Sequence, residues 1–578
     1  MSTPTLPSKK AALGFALLVA ILLLLLPALR DHNPRLQNTS GSGSENLAYA
    51  FDTNIGNETI PLYNSTYVNT PYIQEYSMPN GTWPNGIFVD RSGIVWTVGT
   101  KSHSLLSFDP KEGRITASYL IPSEGKKSTA QYSGSSGGQI GVTMVWTIVQ
   151  DKKGSIWFSQ ADSPNPLWRF DPTTKKFESI HLVSAAPYQM RVDNSTGNIW
   201  YTTFTNNKLG VIQEISKKNT LTTNKNNDSN SSEAPPQYNV TEFDLGTESF
   251  PSGLYLHKDS VWVTQSLNDK LVQFKIVRDL DGRVINILKT SEIPSPEVSS
   301  KSQSIFDSPY DIVVLGSNVW VTEHDVNFLT KYDINSKSIT KFATSSNPHQ
   351  YVTLPFWLRE GVGGGLWFNE HYGNRMAFFN TTDMTLTEYE IPTRDPNLGY
   401  ITNALNFAVD PTDNKDIWFS EYNHDKIGVV KSRVSIPFDI HSSVNKVLLS
   451  KPGIRGKGIN ASSTNTLISF EISRVKNGTN NYTGNSNSSA LSLTKNNKNG
   501  HEIVYFKTSS SMTHYGVLNF SANFSRNYID LTEMKDRTAQ VKLSILNNYK
   551  ISPGNYTLGI SATDGRVTKS IYPNLIVK

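Results

Sequence analysis

Three glutamates end the same recurring phrase. VWVTE closes at Glu323, LWFNE at Glu370 and IWFSE at Glu421. Carboxylates brought together at equal positions of a repeat repel one another. They then hold a cation, or one of them keeps a proton with a raised pKa. Oxygen ligands of this kind suit Mg2+ or Ca2+. A second set lies at the second position of a P-x-G-I phrase: Trp146, Tyr188, Tyr310 and Phe356, with Asn85, Ser252 and Leu405 in the remaining copies. Aromatic walls beside an acidic arc suit a sugar ring, a peptide or a cationic ligand. The plainer alternative is that the aromatics fill the space and the glutamates are solvated. His324 and His371 follow two of the glutamates directly. In a continuing strand they point away from them, and only if the strand ends there do they join the same face. His349 in NPHQYV could reach that face or lie on the surface. GSSGG at 134–138 fits G-x-S-x-G in letters only, because a nucleophile elbow needs a strand before it and a helix after it.

These residues need a scaffold that repeats. The phrase P-x-G-I-x-x-D, a Gly turn, then V-W-F-x-E recurs with its Trp at Trp96, Trp157, Trp200, Trp262, Trp320, Trp367 and Trp418. Seven copies about 40–60 residues apart, alternating with period two and rich in β-formers, read as propeller blades. The turn residues Asp90, Asp151, Asp193 and Asp410 read as turn caps. The closing phrase LTEYEIP at 386–392 has a twin, IQEYSMP at 73–79, ahead of the first blade, while the seventh blade lacks its own. The N-terminal strand is therefore expected to complete blade seven and close the ring. Beyond residue 432 the repeat stops, and alternating runs such as TLISFEI, EIVYFK and NYTLGISATDG fit a β-sandwich of immunoglobulin-like type. The expected fold is all-β: a seven-bladed β-propeller over 70–432, then an immunoglobulin-like β-sandwich over 433–578, preceded by one N-terminal transmembrane helix.

The chain of 578 residues has no cysteine, which excludes disulfides, Cys-based zinc sites and a Cys nucleophile. Net charge is +5, too near balance to imply nucleic acid. Residues 11–29 carry no charge and follow Lys9 and Lys10. That length nearly spans a bilayer, with the N-terminus cytoplasmic. Residues 1–30 read as a cytoplasmic tip and single-pass signal-anchor, with a cleaved signal peptide as the alternative. Residues 31–69 read as a flexible spacer, and everything after residue 30 as extracellular. Dense N-x-S/T sequons, among them Asn57, Asn194, Asn380 and Asn555, fit a glycosylated surface. Without cysteines, an archaeal or bacterial envelope protein fits best, with an envelope glycan or a protein as ligand.

PNGIFVDRSGIVW at 84–96, VWVTEHDVN at 319–327, LWFNEHYGNRM at 366–376 and IWFSEYNHDKIGVV at 417–430 together resemble the virginiamycin B lyase, or streptogramin lyase, family of seven-bladed propellers. The resemblance covers roughly residues 70–432. It implies a carbon–oxygen lyase that opens a cyclic depsipeptide by elimination with a divalent metal, usually magnesium. It implies working glutamates at Glu323, Glu370 and Glu421; the catalytic candidates are Glu370 and Glu421, with His371, which directly follows Glu370 and is not a clean substitute for the family's histidine. The family's histidine in P-x-G-I has no counterpart among Asn85, Trp146, Tyr188, Ser252, Tyr310, Phe356 and Leu405. Two functions follow as expectations: a ligand-binding surface protein, or a metal-dependent lyase acting on an ester or depsipeptide.

Overall fold

The computed structural model describes residues 65–122, 144–160, 167–184, 186–215, 237–293, 306–347, 349–350, 352–442, 444–449, 465–475, 501–512, 522–546 and 553–578. The expected membrane segment, most of the spacer and the GSSGG loop lie outside these residues. Among the described residues no helix is long and apolar enough to cross a membrane.

Between Ile73 and Lys431 the strands form seven four-stranded antiparallel units, six of them separate sheets and the sixth blade part of a larger one. Blades one to six are contiguous in sequence: 84–120, 148–180, 189–244, 251–293, 309–343 and 355–390. Blade seven takes three strands from Phe407–Val409, Asp416–Glu421 and Lys426–Lys431. Its fourth is Ile73–Ser77, antiparallel to Lys426–Lys431. The first strands of successive blades touch in order, and the first strand of blade seven touches that of blade one. The result is the closed seven-bladed ring that the displaced IQEYSMP phrase implied. Closure buries the apolar faces of blades one and seven that an open arc would expose, with Ile87, Val89 and Phe108 against Trp418 and Val429.

The repeat letters have physical jobs. Asp90 accepts from the backbone N–H of Ser92 and Ile94 and from the Trp96 indole at 2.8 Å. Asp151 does the same for Lys153, Ser155 and Trp157. In four blades the residue just before the phrase-ending position latches the blade to the next. Thr264 donates to the Tyr310 carbonyl at 2.8 Å, Thr322 to Phe356 at 2.5 Å, Asn369 to Ala404 at 2.6 Å and Ser420 to Asn85 at 2.9 Å. The last of these crosses the closure from blade seven to blade one.

The expected spacer ends earlier than residue 69. Val68 N–H donates to the Pro392 carbonyl, and Arg394 N–H to Thr66. Residues 66–68 are thus docked beside blade six, because their backbone groups find partners there.

The C-terminal strands form a two-sheet sandwich. One sheet holds Phe438–Ser442, Asn465–Arg474, Thr538–Leu546 and Ala522–Phe524. The other holds Tyr528–Asp530, Ile503–Ser510, Gly554–Thr563 and Val567–Ile571. Phe470, Phe506 and Phe524 pack between them. Two packed sheets are established; an immunoglobulin-like type is not. The strand Val567–Ile571 also pairs antiparallel with Thr385–Glu390, the outer strand of blade six. Propeller and sandwich therefore share one continuous sheet.

Candidate functional site

In four blades the P-x-G-I segment carries a register shift against the second strand: between Pro84 and Ile87, Pro251 and Leu254, Pro309 and Ile312, and Pro355 and Leu358. A bulge re-aims the side chains it contains. Here those are Asn85, Ser252, Tyr310 and Phe356, all buried. The four aromatics expected at the mouth come together as one cluster. Trp146 lies 5.0 Å from Tyr188, Tyr188 lies 6.0 Å from Tyr310, and Tyr310 stacks on Phe356 at 4.4 Å. Trp357 packs against Tyr188, Tyr310 and Phe356. The rings fill space against each other instead of standing apart as walls.

The two histidines join this cluster. The second strands end at Glu323 and Glu370, so the next residue is freed from the alternation that would turn it away. His324 stacks on Tyr310 at 4.9 Å and on His371 at 5.2 Å, and His371 meets Phe356 at 5.0 Å. His371 is 1% exposed, and neither ring nitrogen has a hydrogen-bond partner. Nε2 of His324 and the Tyr188 hydroxyl are likewise buried without a partner. Burial, then the nearby His324, holds the His371 pKa well below the usual imidazole value, which leaves the ring neutral. His349 stacks instead on Tyr400 at 4.0 Å.

The three glutamates are fully buried, each among its own ionisable neighbours. Glu323 accepts from Asp307 N–H at 2.9 Å, from the Thr330 hydroxyl and from Lys341 Nζ at 2.9 Å. Glu370 lies 3.8 Å from Arg375, which also contacts Glu388 at 3.4 Å and Glu390 at 2.7 Å. Neither Glu370 oxygen has an N–H or hydroxyl donor. Its acidic neighbour is the Glu388 carboxyl. Two carboxylates cannot donate to each other, so one proton between them resolves the contact. Burial first, then the Glu388 charge, raises Glu370 well above the ordinary carboxyl range. Blade seven repeats the arrangement. Glu421 is raised by burial and by Glu75, while Lys426 binds Glu75 at 2.8 Å. Glu323 is also raised by burial, with Lys341 opposing.

Basic side chains thus stand near all three carboxylates: Lys341 on Glu323, Arg375 beside Glu370, and Lys426 on Glu75 next to Glu421. Arg375 and Lys426 begin the strands beside their glutamates, where turn-flanking Lys and Arg read as surface residues in the sequence, and Lys341 lies two strands from Glu323. The three glutamates do not bring their oxygens within 4.8 Å of one another; among the described residues, the one His/Asp/Glu group that does is elsewhere, at His501, Asp530 and Glu533. They do not fit one shared Mg2+ or Ca2+. The partners Glu75 and Glu388 were missed, although both occupy the same place in the twin phrases IQEYSMP and LTEYEIP.

No protein-family model matches the chain, and no curated protein matches it. Solved structures do. Selenomethionine-substituted virginiamycin B lyase from Staphylococcus aureus is 22% identical, covering 62% of this chain and 98% of that one with a TM-score of 0.43. A catalytically inactive variant of that enzyme with quinupristin gives the same figures. A streptogramin B lyase is 19% identical, covering 62% and 96%, with a TM-score of 0.42.

Proposed function

We propose that this is a membrane-anchored extracellular propeller protein that binds a ligand or partner at the channel mouth over blades three to six. The observation that carries the reading is the buried, partnerless polar set inside an aromatic cluster: both nitrogens of His371, Nε2 of His324 and the Tyr188 hydroxyl. Buried polar atoms left unmatched cost stability unless something else matches them. A ligand group with donors and acceptors that displaces rings of this cluster, such as Tyr310 or Phe356, meets that need. The envelope setting makes a glycan or protein segment the natural source. Glu370 and Glu421 act through the proton they share with Glu388 and Glu75, holding the rim of blades six and seven in shape. Titrating the full chain with envelope oligosaccharides and monitoring the histidine ring resonances tests this. Selective shifts of His371, abolished in His371→Phe, are expected. Unmoved rings with every fraction would sink the reading.

A second reading is elimination from an ester or depsipeptide. It is favoured by one observation, the neutral buried imidazole of His371 beside Glu370. A neutral imidazole accepts a proton alpha to a carbonyl. Glu323, Glu370 and Glu421 offer no shared carboxylate site for metal assistance. Linearisation of a streptogramin B by the purified chain, lost in His371→Ala, would establish this reading over simple binding.

A further inference from the structure

A group outside the propeller has the makings of a metal site. His501 precedes the sandwich strand Ile503–Ser510, and Asp530 ends the neighbouring strand Tyr528–Asp530, with Glu533 one turn later. One donor atom from each lies within 4.8 Å of the others. His501 Nδ1 contacts Asp530 Oδ2 directly and lies 3.8 Å from Glu533 Oε1. Asp530 is nearly buried, at 10% side-chain exposure, while His501 is 37% and Glu533 72% exposed. An ion therefore has one anchored ligand, one half-covered ligand and an open approach.

The Asp530 carboxylate is divided between two tasks. Its Oδ1 accepts from the Thr532 backbone N–H at 2.9 Å and hydroxyl at 2.6 Å. That fixes the plane of the group and leaves Oδ2 turned toward His501. Among the described residues no lysine or arginine forms an ion pair with Asp530 or Glu533. With a neutral imidazole the group carries two negative charges, the complement of a divalent cation.

We propose that His501, Asp530 and Glu533 bind a divalent transition metal of the zinc type. An imidazole among the donors selects zinc, cobalt or nickel over magnesium and calcium, which prefer all-oxygen shells. Donors at about 2.0–2.2 Å from zinc stand roughly 3.2–3.6 Å apart. The His501–Glu533 pair is close to that spacing already, and Asp530 Oδ2 must retreat by about 1 Å from the imidazole. Nδ1 gives up its proton as the metal enters, so binding strengthens as pH rises. Water completes the shell on the open side.

The test uses tag-free full chain in detergent, stripped with a chelator and titrated calorimetrically with Zn2+. One ion per chain is expected, weakened at least tenfold in His501→Ala and in Glu533→Gln. Co2+ should give visible absorption that the same substitutions remove. Because Glu533 is exposed, Glu533→Gln tests the site without risk to the fold. No saturable binding, or binding that both variants leave unchanged, overturns the proposal and leaves a plain His501–Asp530 hydrogen bond.

Discussion

Glu75 and Glu421 are acidic neighbours, although one lies ahead of blade one and the other ends the second strand of blade seven. Glu388 and Glu370 stand in the same relation within blade six. In both blades a cation opens the third strand opposite the phrase-ending glutamate: Arg375 opposite Glu370, Lys426 opposite Glu421. Blade five uses Lys341 in place of the second acid. The acid-plus-acid blades therefore carry one proton that the acid-plus-lysine blade does not need.

That proton has a measurable consequence. Glu421 is raised by burial and by Glu75, so the folded chain holds a proton that the unfolded chain releases above about pH 4.3. Stability contributed by the protonated form is complete below that value. It falls as pH rises toward the raised folded pKa. Glu421→Gln mimics the protonated acid and removes this slope. Thermal melts from pH 5 to 8 should fall less steeply for Glu421→Gln than for the parent, with the variant more stable at the upper end. A variant less stable at every pH would mean that Glu421 works as a carboxylate.

Ring closure rests on Tyr76 as well as on strand pairing. Its ring stacks on Trp418 of blade seven at 5.8 Å and tilts against Phe108 of blade one at 4.8 Å. Tyr76→Ala should cost about 2 kcal/mol, below the roughly 3–5 kcal/mol of a fully buried aromatic because the ring is half-buried. Chemical denaturation measures it, and a loss under 0.5 kcal/mol, an ordinary surface effect, would mean that Tyr76 does not bind the two blades.

The fold was largely legible because each blade repeats local rules. The Trp spacing marked the blades, the Asp turns marked their hairpins, and the orphan IQEYSMP phrase marked the closure. Glu323, Glu370 and Glu421 were legible as a set for the same reason. Their partners were not, because Lys341, Arg375 and Lys426 become neighbours only through strand register. The turn of His371 into the aromatic cluster depended on where one strand stops, a boundary that periodicity locates poorly. The pairing of Val567–Ile571 with blade six left no trace in local pattern, since edge-to-edge pairing uses backbone groups that every residue carries.

Asp311 pins the inner strands. It is fully buried and accepts from Gln189 at 2.8 Å, from Ile312 and Leu358 N–H at 2.8 Å, and from Arg359 at 2.6 Å, with Arg191 at 3.5 Å. Blades three, five and six thus meet at one carboxylate. Asp311→Ala strands these donors and leaves two guanidiniums facing each other. A loss of about 2–4 kcal/mol is expected, reduced from a fully buried pair because both arginines keep some solvent. Asp311→Asn should recover part of it by keeping an acceptor. Equal losses in the two variants would show that hydrogen-bond acceptance at this point does not matter.

The shared sheet makes the sandwich a structural part of blade six. Thr568 stands opposite Glu388, in phase with the Glu390 N–H that donates to the Arg566 carbonyl at 3.0 Å. The phase places the Thr568 N–H on the ladder, so Thr568→Pro removes that donor and sterically opposes the pairing. Other contacts reinforce the junction. The Tyr572 hydroxyl donates to Ala343 O at 2.6 Å, Thr557 donates to Lys341 O at 2.5 Å, and Lys507 reaches Ser346 O at 3.2 Å. The segment 341–346 that receives them also anchors the mouth side: Ser345 N–H donates to Glu388, and Arg375 donates to the Ser345 carbonyl. Undocking the sandwich should therefore loosen the Glu370–Glu388 pair. For Thr568→Pro, limited proteolysis should release the sandwich near residues 431–438. Melting should split into two transitions, and the His371 ring resonances should broaden. A single transition with unchanged His371 signals would mean that the sandwich is attached to blade six without supporting it.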